Sequence, residues 1–317
     1  MYRDPSARLA ACVGVALFAT TTAAAPFAFV PNEKSGTVSI LDTATDKVLG
    51  EIEAGVKPRG LTASKDGKLL FVSDQKQDAV HVLDVAARAA AGDVPVGESP
   101  EGLAMSADGR WLAVALEDAN AVALVDVAAR KVAATIPVSG KNPEHAVFSP
   151  DGKWIYVSAE AGTSLDVIDV ATRKTVAAIP VGHRPRGIAF TPDGKRAFVA
   201  CEEDTTVFAI DVAARKAVAS LRHGKGVGGV VMQPDGKRVF VADGKAGAVY
   251  ALDTSTTQVV ATVEVGKRPW NMAVTPDGKK LYVANGRSNS VSVVDLGTFT
   301  KLTDVAVGEL PWGVAIR

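Results

Sequence analysis

The stretch KRPWNMAVTPDGKKLYVANGRSNSVSVVD, residues 267–295, contains most of a unit that recurs along the chain. Two short apolar runs are joined by a Thr-Pro-Asp-Gly-Lys turn, and a polar loop then leads to a third run that ends in aspartate. Asp-Gly followed by Lys or Arg recurs from Asp66 to Asp277 at spacings of 42, 43, 42, 42 and 42 residues. A fixed period of about 40–45 residues is typical of stacked repeats that cannot bury their apolar faces alone.

Each unit favours four short antiparallel strands. Its runs are rich in Val, Ile and Ala and are separated by turn residues, which indicates strands and not helices. Four antiparallel strands repeated radially form a β-propeller. Six units are complete, residues 311–316 match a first strand, and residues 28–53 match the second to fourth strands. We therefore predict an all-β, seven-bladed propeller of four-stranded antiparallel blades, closed by pairing of the N-terminal strands with the C-terminal strand, because closure hides two edges.

The second strands share a motif that resembles a known repeat. Tyr282-Val-Ala-Asn285 and Phe240-Val-Ala-Asp243 resemble the Tyr-Val-Thr-Asn signature of the YVTN β-propeller repeat family. The opening segment VPNEKSGTVS, residues 30–39, is similar to that of bacterial propeller proteins associated with PQQ-dependent alcohol catabolism. This resemblance implies an exported, non-enzymatic binding or scaffolding module that is accessory to periplasmic PQQ-dependent alcohol oxidation.

The N-terminus has the pattern of a secretory signal peptide. Arg3 and Arg8 precede an apolar stretch, residues 9–20, and small residues follow it. Pro26 disfavours cleavage after Ala25, so we predict a signal peptide of residues 1–24 and a single propeller domain of residues 25–317. No later apolar run is long enough to span a membrane. The expected location is the periplasm, with the mature chain a monomer.

Charge and cysteine content limit the partners and cofactors. The chain has 35 basic and 35 acidic residues, without the basic excess of nucleic-acid-binding proteins, so nucleic acid is not an expected partner. Cleavage would leave only Cys201, which we interpret as a core residue. We predict no cofactor and no metal; PQQ and calcium are the candidates to test first. Five acidic residues are predicted to form a solvated rim on the outer loops: Glu117, Asp118, Glu202, Glu203 and Asp204.

One position per unit is predicted to lie at the mouth of the central channel. It is the middle residue of the Pro-x-Gly corner, directly before the innermost strand. In the seven units this position is occupied by Arg59, Glu101, Glu144, Arg186, Gly228, Trp270 and Trp312. Two neighbouring histidines, His145 and His183, belong to the same corners. Aromatic faces and guanidinium groups suit a planar acid or a protein loop. The predicted binding residues are therefore Arg59, Glu101, Glu144, His145, His183, Arg186, Trp270 and Trp312.

Two alternatives remain open from the sequence. The charged residues could simply be salt bridges between adjacent blades, Arg59 with Glu101 and Arg186 with Glu144. The second alternative is a periplasmic lactonase-like hydrolase, in which Glu101 or Glu144 acts as a base and an arginine holds an oxyanion. Motifs for a serine hydrolase, a phosphate loop or a dinucleotide site do not occur. The expected partner at this face is a periplasmic protein or a small organic ligand.

Overall fold

The computed structural model describes Met1 and residues 26–317. Apart from Met1, the predicted signal peptide lies outside the described residues. In the described part of the chain, no helix has the length and apolar character needed to cross a membrane.

Seven four-stranded antiparallel sheets, here called blades A to G in chain order, make up the structure. Blade A begins with β1 (Phe27–Asn32), β2 (Thr37–Asp42) and β3 (Lys47–Glu53). Blade B contains β4 (Pro58–Ala63), β5 (Leu69–Asp74), β6 (Ala79–Asp84) and β7 (Ala89–Pro95). Blade C contains β8 (Pro100–Met105), β9 (Trp111–Leu116), β10 (Ala121–Asp126) and β11 (Lys131–Pro137). Blade D contains β12 (Pro143–Phe148), β13 (Trp154–Ala159), β14 (Ser164–Asp169) and β15 (Lys174–Pro180).

The remaining blades repeat the same order. Blade E contains β16 (Pro185–Phe190), β17 (Arg196–Cys201), β18 (Thr206–Asp211) and β19 (Lys216–Arg222). Blade F contains β20 (Val227–Met232), β21 (Arg238–Asp243), β22 (Ala248–Asp253) and β23 (Val259–Glu264). Blade G contains β24 (Pro269–Val274), β25 (Lys280–Asn285), β26 (Ser290–Asp295) and β27 (Thr300–Ala306). The last strand, β28 (Ala315–Ile316), returns to blade A.

The ring closes as the sequence predicts. Ala28 pairs with Ile316 and Phe29 with Ala315, so β28 becomes the innermost strand of blade A. A further bridge joins Asn32 to Pro311. Innermost strands of successive blades contact one another, and β28 contacts both β24 and β4. The predicted seven-bladed propeller is confirmed.

The core lies between the blades. Second strands are buried on both faces because each blade is covered by its neighbours; β17, for example, is buried from Ala197 to Cys201. One of the clusters packs Phe240 of blade F against Leu281 and Val283 of blade G. Cys201 has no exposed surface, and burial raises the pKa of its thiol to about 12, in agreement with its interpretation as a core residue. Packing and strand pairing therefore hold the described ring together.

The outermost strand of every blade carries a β-bulge at the same register. In blade D, for instance, Val167 pairs with Ala177 and Ile168 with Thr175, so Val176 is the extra residue. The equivalent extra residues in the seven blades are Leu49, Ala91, Ala133, Val176, Val218, Val260 and Leu302. Bulges bend and twist a strand. Their repetition shows that the blades share one backbone design.

Candidate functional site

The structure gathers the Pro-x-Gly middle residues, here called the mouth ring, at one end of the central channel. A cavity of about 170 Å³ is lined by six of the seven, all but Gly228. His145 lines an adjoining cleft, together with Gly228. His183 is not among the residues that line either space. It lies on the outer rim with its side chain 66% exposed, and its Nδ1 is 3.2 Å from Asp204 Oδ2.

A second set of side chains, which the sequence analysis did not identify as part of the site, surrounds the mouth ring. Each lies directly after the second strand of its blade, and we call the set the collar: Glu33, Gln75, Glu117, Glu160, Glu202, Gly244 and Gly286. The repeat itself contained the signal, since four glutamates and a glutamine of similar spacing precede the two glycines. The prediction of a solvated rim is wrong for Glu202, which is buried, and for Glu117, which lines the cavity.

On one side of the mouth, Arg59 joins the two sets. Its Nη1 donates to Glu101 of the next blade, and its Nε lies 3.2 Å from Glu33 Oε2 of the preceding blade. Gln75 Nε2 donates to Glu101 Oε1 at 2.5 Å and to Glu117 Oε2 at 2.7 Å. The predicted Arg59–Glu101 pair is therefore present, within a network that spans three blades.

On the other side, the predicted Arg186–Glu144 pair is also present, with Nη2 at 2.7 Å from Glu144 Oε1. Arg186 Nη1 donates to Glu160 and lies 3.8 Å from Glu202 Oε2. Arg184 contacts Glu160 at 3.1 Å and Glu202 at 3.3 Å. These arginines are already engaged with carboxylates, so they are poorly placed to bind a free anion.

Two acids of the mouth ring, Glu101 and Glu144, are almost fully buried, with 1% and 5% of their surface exposed. In each, Oε2 has no hydrogen-bond partner among the described residues. Burial raises the pKa of Glu101 to about 7 and that of Glu144 to about 8, against the lowering effects of Arg59 and Arg186. The collar carboxylates Glu117 and Glu160 raise these pKa values further. Near neutral pH, both groups can therefore hold or release a proton.

Trp312 crosses toward the opposite side of the channel. Its ring lies 5.5 Å from the imidazole of His145 of blade D, and Asn271 Nδ2 donates to its carbonyl oxygen at 3.3 Å. His145 and Asn271 occupy positions where the other corners have glycine. Burial, followed by the charge of Arg186, lowers the pKa of His145 to about 3. A neutral imidazole thus packs on the tryptophan and forms the floor of the mouth.

Trp270 and Arg268 lie over the collar glycines. A Cβ on Gly286 would be 2.6 Å from the Trp270 ring, and one on Gly244 would be 3.1 Å from Arg268 Cδ. Arg268 passes over Gly244 and reaches Glu202 of blade E at 3.0 Å. The two tryptophans line one cavity, but their rings have different partners. The missing collar side chains are therefore what makes room for this side of the mouth.

The chemistry available at the mouth is that of carboxyls, guanidinium groups and indoles. Across the described residues, no cluster of three or more His, Cys, Asp or Glu side chains has the arrangement of a metal site. Glu101 and Glu144 each have one buried oxygen without a hydrogen-bond partner, and the two tryptophans line the same cavity. Carboxyl groups with near-neutral pKa values are chemically suited to proton transfer.

Comparisons with known proteins agree with this architecture. Residues 169–311 match the family model "Lactonase, 7-bladed beta-propeller", and residues 65–193 match "YNCE-like beta-propeller". No curated protein matches the chain. None of the similar proteins named here is described in terms of PQQ, so the PQQ association implied by the resemblance is unsupported.

Solved structures share the fold over most of the chain. Hydrazine synthase of Kuenenia stuttgartiensis is 26% identical, with a TM-score of 0.78 over 84% of this chain and 91% of that chain. A protein of unknown function from Desulfotomaculum acetoxidans is 17% identical, with a TM-score of 0.80 over 92% and 98%. A candidate 6-phosphogluconolactonase from Bacteroides uniformis is 18% identical, with a TM-score of 0.77 over 92% and 99%. The chain is therefore a seven-bladed β-propeller, and separate parts of it match the lactonase and YNCE-like family models.

Proposed function

We propose that the mouth binds a small, neutral, hydroxyl-bearing ring compound of the sugar-lactone class. The observation that carries this proposal is that Glu101 and Glu144 line a cavity of about 170 Å³ and that the buried Oε2 atom of each has no hydrogen-bond partner among the described residues. A buried polar atom without a partner carries a desolvation cost of about 1–3 kcal/mol, which a ligand hydroxyl would remove. The exposed part of Trp270 provides an apolar face for the ring.

The ion pairs decide between a neutral and an anionic ligand. Arg59 and Arg186 each contact at least two carboxylates, and Arg268 contacts Glu202. An anion would have to displace a buried carboxylate and leave it unpaired, which is costly in a low-dielectric site. A neutral ligand leaves the ion pairs in place. We therefore expect a neutral ring to bind more tightly than the corresponding acid.

Binding is tested by thermal shift and calorimetry on the mature chain. The probes are 1,5-anhydroglucitol, a neutral ring that cannot hydrolyse, and gluconate, an open-chain acid. At about 100 times its dissociation constant, a ligand of the folded state adds roughly 2.7 kcal/mol of stability. Glu144→Gln should weaken the binding of 1,5-anhydroglucitol by about tenfold. Glu203→Gln, on the exposed rim, should leave that affinity unchanged. Tighter binding of gluconate, or equal loss in both variants, contradicts the proposal.

Lactone hydrolysis is a second candidate function, favoured by the near-neutral pKa values of Glu101 and Glu144 and by the lactonase family match. In this reaction, ionised Glu144 accepts a proton from water as the water oxygen bonds to the lactone carbonyl carbon. The oxyanion that results collapses, the ring C–O bond breaks, and the proton passes from Glu144 to the leaving alkoxide. The product is the open hydroxy acid, which the paired arginines would release.

Turnover is measured with a pH-stat and glucono-δ-lactone, after subtraction of spontaneous hydrolysis. If Glu144 is the base, kcat/KM should rise with pH, reach half of its maximum at about pH 8 and level off above it, because the ionised form is active. Glu144→Gln should remove turnover and Glu203→Gln should not. Binding without turnover in the native chain would instead make the protein a non-enzymatic binding module.

A further inference from the structure

The top loops of the neighbouring blades F and G are basic and contain no acidic residue at four equivalent positions. Each blade presents four loop positions on this face: the two residues before its Pro-x-Gly corner, the collar residue and the residue after it. In blades F and G these positions contain only cations and glycines, namely Lys225, Gly226, Gly244, Lys245, Lys267, Arg268, Gly286 and Arg287. Blade C, on the far side of the ring, has Glu98, Ser99, Glu117 and Asp118 instead. A chain with equal numbers of acidic and basic residues thus has a strongly polarised face.

A groove of about 830 Å³ runs between blades F and G at this basic edge. Its cations are Lys245, Lys267, Arg268, Arg287 and Lys301, and its acids are Glu264 and Asp304. Asp304 is 2.6 Å from Lys301, and Arg268 is engaged by Glu202. Lys245, Lys267 and Arg287 are exposed and form no ion pair with any residue in the described range 26–317. The mouth arginines are neutralised by glutamates, whereas these three cations are not.

The shape of the groove favours an extended ligand. Its three unpaired cations come from three different loops and are exposed, unlike the converging, buried donors that hold a single small anion. Lys301 and Asp304 of β27, the outermost strand of blade G, line the groove, and the outer edge of β27 has no partner strand in the described structure. An unpaired strand edge offers N–H and C=O groups to an extended peptide. No aromatic residue lines the groove, so it lacks the stacking platform on which single-stranded nucleic acids depend.

We propose that the groove between blades F and G is a docking site for an acidic, extended segment of a partner protein. Lys245, Lys267 and Arg287 pair with its carboxylates, and the edge of β27 bonds to its backbone. The site is separate from the mouth ring and does not depend on the function proposed for the mouth. Gly244 and Arg268 border both the groove and the cleft that adjoins the mouth cavity. The partner would therefore lie beside the mouth without filling it.

The test is fluorescence anisotropy on the mature chain with a labelled ten-residue peptide of alternating Glu and Val. We expect saturable binding at low salt that weakens steeply as salt is added. The variant K245E/K267E/R287E should lose at least tenfold in affinity. The matched control K34E/K76E/K141E, which changes three top-loop lysines in blades A, B and D, should stay within threefold. Circular dichroism melting confirms that both variants fold.

Three outcomes would overturn the proposal: no binding at low salt, equal losses in the two triple variants, or tighter binding of a single-stranded oligonucleotide of equal charge. Self-association of the protein that depends on the same three residues would also overturn the proposal. The groove would then be occupied by the acidic top loops of blade C of a second copy and not by a partner protein. Sedimentation velocity detects that case. The ligands of the mouth are titrated in parallel, and their binding should be unchanged in K245E/K267E/R287E.

Discussion

The outer edge of the ring and the mouth of its channel are built from the same seven repeats, but they differ in what is repeated. At the outer edge, the backbone and the side chains are both similar, with a bulge at one register and a residue of positive φ before each outermost strand. At the mouth, the backbone is equally regular while the mouth ring and the collar change from blade to blade. A uniform frame thus lets side chains at two positions per blade determine the chemistry of the site.

Burial separates the two regions as well. At the outer edge, Arg88, Arg130 and Arg173 donate to the carbonyls of the bulged residues Leu49, Ala91 and Ala133 across an exposed blade boundary. At the mouth, Glu101 and Glu144 are almost fully buried. Exposed contacts contribute little to stability, and buried charges are costly when they lose a partner. Substitutions should therefore have large effects at the mouth and small effects at the edge.

The largest effect is expected for Trp312→Ala. Trp312 is 7% exposed and packs on His145, so truncation leaves a cavity in the floor of the mouth. The free energy of unfolding should fall by about 3–5 kcal/mol, measured by urea denaturation. Trp111→Ala is the comparison away from the mouth, at the start of β9, where Arg110 stacks on a partly exposed indole. An equal loss in both variants would remove the distinction between the regions.

Arg186→Met should lower the free energy of unfolding by about 3 kcal/mol at pH 8, because Glu144 and Glu202 lose a buried partner. The cost should be smaller at pH 5, where Glu144 is protonated and needs no counter-charge. The double variant R186M/E144Q should recover part of the loss at pH 8. Denaturation of all three variants at both pH values provides the measurement, and a cost independent of pH would show that Glu144 is not the group affected.

Stability should fall as pH rises from about 5 to 8. Glu101 and Glu144 have pKa values of about 7 and about 8 in the folded protein, above the ordinary value of 4.5. The folded state therefore binds more protons than the unfolded state in this range, and each group contributes a slope of at most about 1.4 kcal/mol per pH unit. The fall should be steepest between about pH 5 and 7, where both groups are still protonated in the folded state and already ionised in the unfolded state. E101Q/E144Q should flatten the profile, while a native profile already flat would contradict these pKa values.

A pair of glycine substitutions tests the packing at the mouth more finely. Gly286→Ala places a Cβ 2.6 Å from the Trp270 ring and should cost about 1–3 kcal/mol. Gly228→Ala, in the mouth ring of the neighbouring blade, meets no atom within 4 Å and should change stability by less than about 0.5 kcal/mol. Thermal melting compares the stabilities of the two variants. Adding Trp270→Ala to Gly286→Ala should remove the clash and restore part of the lost stability. Without that relief, the clash is elsewhere.

The smallest effect belongs to the outer edge. Arg88→Ala removes a hydrogen bond of 3.2 Å to the carbonyl of Leu49 and should cost about 0.5 kcal/mol. Lys174→Ala, an exposed change at the start of an outermost strand, is the control and should be neutral. Urea denaturation in triplicate resolves such a difference. A loss above about 1.5 kcal/mol for Arg88→Ala would mean that the edge is as sensitive as the mouth.

The fold could be predicted almost completely from the sequence, because a period of 42 residues and the split seventh unit determine the ring. The ion pairs Arg59–Glu101 and Arg186–Glu144 could also be predicted from the sequence, since equivalent positions of adjacent blades must be neighbours. The collar could not be predicted from the sequence. Glu202, for example, comes directly after a strand and has the pattern of an ordinary loop residue, and only the folded ring places it in contact with Arg268. His183 lies two residues before its corner proline, and one further residue of loop suffices to turn it outward to Asp204.

The closure of blade A has a consequence for the order in which the protein can form. Residues 28 and 316 pair, although almost the whole propeller separates them along the chain. While the chain is being synthesised, β1–β3 must wait as a three-stranded sheet with the inner edge of β1 open, and every later blade can assemble before blade A is complete. We expect a nascent chain stalled before residue 311 to be sensitive to proteases in blade A, and release of β28 to end that sensitivity.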